Sequence, residues 1–106
     1  MITMDQLRDT VTERLTLLQA QAPPNFFFSN RDLHLWSANK WACKELLREI
    51  DEAEAVPFII TPLEILEGFK RKMDDLACTF GTHSKREKIY TEASDLATWI
   101  MEDLGI

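Results

Sequence analysis

The chain has 106 residues, a length suited to one domain spanning 1–106, and its 45% hydrophobic and 28% charged content is that of an ordinary globular protein. Only 3 Gly and 4 Pro interrupt it, which leaves room for long helices and disfavours a turn-rich all-β fold. The net charge of −6, from 12 basic and 18 acidic residues, disfavours broad binding to a phosphate backbone, where Lys and Arg must displace counterions.

The first predicted helix runs from about Thr3 to Gln21, with Met4, Leu7, Val11, Leu15 and Leu18 on one stripe, and Pro23-Pro24 end it. Asn25-Phe26-Phe27-Phe28 then places three aromatics in a loop. Ser29 is the expected cap of the second helix, with Phe28 meeting Leu33 as a hydrophobic staple. That helix extends to about Ala53, its buried stripe reading Trp36, Cys43, Leu46, Leu47 and Ile50, with Leu35 and Ala42 at the margin. Val56-Pro57-Phe58-Ile59-Ile60 reads as an extended connector pressed onto the bundle.

Thr61-Pro62-Leu63-Glu64 opens the third helix with a cap, a proline in the first turn and the glutamate of a capping box. Leu66, Phe69, Met73, Leu76, Ala77 and Phe80 form its stripe, and Gly81 stops it. Ser84 and Glu87 make a second capping box. The fourth helix buries Ile89, Ala93, Leu96, Ala97, Ile100 and Leu104 before Gly105. Four one-faced helices with short connections predict an all-α, antiparallel four-helix bundle, its last two helices forming a hairpin.

The helical wheel leaves Trp41 nearly opposite the stripe of the second helix. Trp99 falls about 120° from the stripe of the fourth, and Cys78 points away from that of the third. Tryptophans left outside are enriched in interfaces. Trp41, Trp99, Phe26, Phe27 and Phe28 are therefore the candidate interaction residues, unless the Phe26–Phe28 loop or the Val56–Ile60 connector covers Trp41. The acidic Glu92, Asp95, Glu102 and Asp103, with no basic residue after Lys88, favour a positively charged partner.

Chemistry finds less support. His34, Cys43, Cys78 and His83 form no ligand pair at helical spacing, so no metal is expected. There is no nucleophile beside a base, no glycine-rich phosphate loop and no cofactor pattern. Glu64-x-x-Glu67 and Glu92-x-x-Asp95 resemble the acidic signature of the MazG-type all-α nucleotide pyrophosphatases, a resemblance that would imply Mg²⁺ held by carboxylates. It covers four residues and the helical class, and three of the four carboxylates point off their stripes. Ala77-x-x-x-Gly81 followed by Lys85-Arg86-Glu87-Lys88 resembles a helix-turn-helix, which would imply DNA binding. Glu87, though, falls where that motif buries an apolar residue. The expected function is thus a small helical protein–protein interaction module, a regulator, adaptor or inhibitor, with a protein partner or a second copy as ligand.

The starting segment Met1-Ile2-Thr3-Met4-Asp5 lacks a charged-then-apolar run, and no apolar stretch approaches the roughly 20 residues that span a bilayer. With two cysteines expected to be reduced, the cytoplasm is the expected compartment.

Overall fold

A computed structural model describes residues 2–20, 30–80 and 84–106, with the side chains of residues 30–33 left aside. The Ser29 cap, the Phe28–Leu33 staple, the Phe26–Phe28 loop and Gly81 therefore lie outside the described residues. Four helices follow in order: α1 (Met4–Ala20), α2 (Asn30–Ala55), α3 (Pro62–Thr79) and α4 (Lys85–Leu104). The fold is an all-α bundle, as the hydrophobic periodicity predicts.

Local chemistry sets the helix ends. Thr3 and Gln6 exchange hydrogen bonds, Thr3 N–H to Gln6 Oε1 at 2.8 Å and Gln6 N–H to Thr3 Oγ1 at 3.1 Å. This is a complete capping box on α1, legible as T-x-x-Q in the sequence but not anticipated above. Thr61 Oγ1 accepts the Glu64 N–H at 3.2 Å, with Pro62 following in the first turn of α3. Ser84 Oγ accepts the Glu87 N–H at 2.9 Å. Gly105 closes α4 at φ 72°, a left-handed conformation that suits glycine, and its N–H bonds the Glu102 carbonyl.

Two hairpins make the bundle. The α3–α4 seam is the most extensive, followed by α1–α2, and α2 packs on α4 to join the two pairs. The Arg8 guanidinium, early in α1, forks to Asp51 and Glu54 late in α2. At the other end Trp36 Nε1 donates to the Leu18 carbonyl at 3.0 Å. Those two ties make α1 and α2 antiparallel. Lys70 Nζ donates to the Ser94 hydroxyl at 2.9 Å, and Phe80 stacks on Tyr90 at 5.7 Å, so α3 and α4 also run oppositely.

The core gathers Leu7 and Val11 from α1, Ala42, Cys43, Leu46 and Ile50 from α2, Ile65, Leu66, Phe69 and Met73 from α3, and Ala93, Leu96, Ala97 and Ile100 from α4. Each large side chain buried this way contributes roughly 1.5–3 kcal/mol of hydrophobic stabilisation. Because α2 touches helices on both sides, its buried arc is wider than one stripe: Ala38 and Ala42 are sealed, whereas Leu47 and Trp36 are half-buried. On α3 the arc begins a residue early, at buried Ile65, and Phe80 at its far end is exposed. The Cys43 thiol is held up to about 11 by burial, with the Arg14 charge acting weakly the other way.

Candidate functional site

The connector between α2 and α3 departs from the expectation that it lies pressed on the bundle. Val56 and Ile60 are half-buried, and Ile60 packs against the core, but Phe58 is 64% exposed and Ile59 93% exposed. The reason is local. The connector bends over residues 56–58, and seating Ile60 on the core leaves Phe58 and Ile59 on the solvent side. Thr61 and Pro62 then start α3 at once, which leaves no residue to fold Ile59 back.

This end of the bundle is also acidic. Asp51, Glu52 and Glu54 finish α2, Glu64 and Glu67 begin α3, and Glu102 and Asp103 finish α4, whose antiparallel pairing with α3 brings its last turn here. Neither α2 nor α4 carries a basic residue in its last turn. Acidic charge beside the negative end of a helix dipole costs up to a few tenths of a kcal/mol per group. Arg8, Arg48 and Arg14 answer part of it: Arg8 forks to Asp51 and Glu54, Arg48 pairs with Glu45 and Glu52, and Arg14 reaches Asp103 at 3.0 Å. The acidic tail of α4 is thus not wholly unmatched by base. Glu64, Glu67 and Glu102 make no ion pair among the described residues.

The two tryptophans singled out by the helical wheel divide. Trp99 is 42% exposed, with the Arg14 guanidinium 6.0 Å from its ring centroid. Leu63 and Ile106 add exposed apolar surface at the same end of the α3–α4 hairpin. Trp41 corrects the wheel: it is half-buried and meets Tyr90 of α4 edge-on at 5.9 Å. The cover the described residues give Trp41 comes from α4, which packs along that side of α2. Beyond it Phe80 stacks on Tyr90, and the Arg86 guanidinium sits 5.1 Å over Phe80. Phe26, Phe27 and Phe28 lie outside the described residues. Cys78 is exposed, as its position predicts.

Glu64, Glu67 and Asp95 are exposed and Glu92 is half-buried, and among the described residues no three His, Cys, Asp or Glu side chains gather to hold a metal ion. Lys85, Arg86 and Lys88 occupy the first turn of α4, and the long seam between α3 and α4 differs from the near-perpendicular crossing of a helix-turn-helix. Among the described residues no helix is long and apolar enough to cross a membrane. Comparison of the chain with protein-family models, with curated proteins and with solved structures finds no match.

Proposed function

We propose that this chain is a protein–protein interaction module, and that its docking surface is the acidic end formed by the α2–α3 connector and the adjoining helix ends. The observation that carries the reading is the adjacent pair Phe58 and Ile59, held out in water by a connector pinned at Ile60 and Thr61. Apolar side chains placed this way contribute nothing to folding, and contiguous exposed apolar surface in a small domain marks contact sites. The partner chemistry follows from the surroundings. Carboxylates at the ends of α2 and α4 and at the start of α3 call for positive charge, so the ligand is a basic amphipathic segment of another protein. Its apolar side chains cover Phe58 and Ile59, and its Lys and Arg residues meet Glu64, Glu67 and Glu102.

The test uses a synthetic amphipathic helix of leucine and lysine, titrated into isotopically labelled protein and followed by amide chemical shifts. Binding at this end moves the signals of Val56–Leu63 and weakens as salt is raised. The double substitution Phe58→Ser with Ile59→Ser should weaken it on the order of 100-fold, the equivalent of losing roughly 3 kcal/mol of apolar burial. Shifts elsewhere on the bundle, or affinity indifferent to that double substitution, overturn the proposal. So does a stable homodimer by light scattering that the same substitutions dissociate, since the surface then serves a second copy.

A further inference from the structure

At the other end of the molecule a groove of about 360 Å³ opens between α2 and α4, lined by His34, Ser37, Ala38, Trp41, Arg86, Ile89 and Tyr90. That volume is within the range of small-molecule sites. Its chemistry is mixed in a specific way. Trp41, Ile89 and Tyr90 offer flat apolar walls, with Trp41 and Tyr90 fixed edge-to-face. Arg86 supplies positive charge at the rim. Its guanidinium is steadied over the Phe80 ring, and among the described residues it makes no ion pair. His34 has an Nε2 that is shut away from solvent and has no hydrogen-bond partner. Buried polar atoms are ordinarily paired, and a turn of the imidazole would bring this unpaired nitrogen to a ligand oxygen in the groove.

We infer that this groove binds a small planar aromatic carboxylate. The ring lies against Trp41 and Tyr90, where offset and edge-on ring contacts are favourable. The carboxylate takes the Arg86 guanidinium in the paired geometry that two parallel N–H donors provide, with Ser37 and a turned His34 ring as further donors. A neutral ring would forgo the Arg86 charge, and an aliphatic acid would forgo the ring contacts with Trp41 and Tyr90. The site is independent of the acidic docking end and stands or falls without it.

The test compares three probes by amide and indole chemical shifts: 1-naphthoate, its neutral amide, and cyclohexanecarboxylate. Naphthoate should move Ala38, Trp41, Ile89 and Tyr90, bind at least about ten-fold more tightly than its amide, as one charge-assisted contact implies, and more tightly than cyclohexanecarboxylate through its ring contacts. Arg86→Gln changes an exposed side chain and should erase the preference for naphthoate over its amide. Ser37→Phe, also at an exposed position, should plug the groove, with circular dichroism confirming that both variants remain folded. If Ser37→Phe unfolds, Arg86→Gln alone decides. No shift in the millimolar range, equal binding of acid and amide, an unchanged affinity in Arg86→Gln, or shifts centred on Phe58 and Ile59 each overturn the inference.

Discussion

At the end where α4 begins, aromatic side chains are turned upon one another: Trp41 edge-on to Tyr90, Tyr90 against Phe80, and Arg86 over Phe80. At the end where α4 finishes, Phe58 and Ile59 are largely exposed to solvent. The charges divide in the same way, with Lys85, Arg86 and Lys88 at the first end and Glu102 and Asp103 at the second. Apart from Glu87 in the first turn, which favours the dipole of α4, both sets oppose it, the positive end carrying the lysines and the negative end the acids. Helix stability alone would have reversed them. Under the two proposals above, those charges would face a small negative ligand at the covered end and a large positive one at the open end.

The widest gap between the two ends should show in stability. Tyr90→Ala removes the contact shared by Trp41 and Phe80, and a loss of about 2–3 kcal/mol is expected from urea unfolding. Replacing both Phe58 and Ile59 by serine should change stability by no more than about 0.5 kcal/mol, because both side chains are largely exposed. If the double substitution costs as much as Tyr90→Ala, the connector is structural and the docking proposal loses its ground.

A smaller effect separates the two caps. Thr61→Ala should cost about 1 kcal/mol by freeing the Glu64 N–H, and Ser84→Ala a similar amount through Glu87. Their local consequences should differ. Losing Thr61 loosens the first turn of α3 and with it the platform on which Ile59 stands, so amide exchange should quicken at Ile65 and the peptide affinity should fall. Losing Ser84 should leave that affinity unchanged. Equal effects on binding from both caps would mean that the platform is not set by α3.

What the sequence disclosed follows the range of each interaction. Thr61-Pro62 with Glu64, Ser84 with Glu87, and Gly105 act within four residues, so their pattern and their geometry agree. The α1 stripe agrees as well, since that helix leans chiefly on α2. Trp41 was misplaced because a helical wheel assigns one buried face per helix, and α2 has neighbours on two sides. Ile59 and Ile60 are the same residue type side by side. No composition or hydropathy separates them, and only the path of the connector between two helix ends decides which one faces water. Cover for Trp41 and exposure for Ile59 are both tertiary facts, and the candidate site rests largely on them.

The least of the expected effects lies in the last quarter of α2, at Glu49. Burial raises its carboxyl above the ordinary range, opposed by the nearby Lys72 and Arg48 charges and reinforced by those of Glu45 and Glu52, and its Oε2 has no hydrogen-bond partner. Because the folded value lies above the unfolded one, the protonated form is the one that folding favours. Its contribution is complete below the ordinary glutamate range and disappears as pH rises through the raised folded value. Glu49→Gln, which mimics the protonated carboxyl, should therefore stabilise the protein at neutral pH and match it in acid. Urea midpoints at two pH values measure the difference. Should glutamine prove worse at neutral pH, the attraction of Lys72 outweighs burial, and α2 is tied to α3 by an ion pair instead of tolerating a poorly solvated acid between its two differently charged ends.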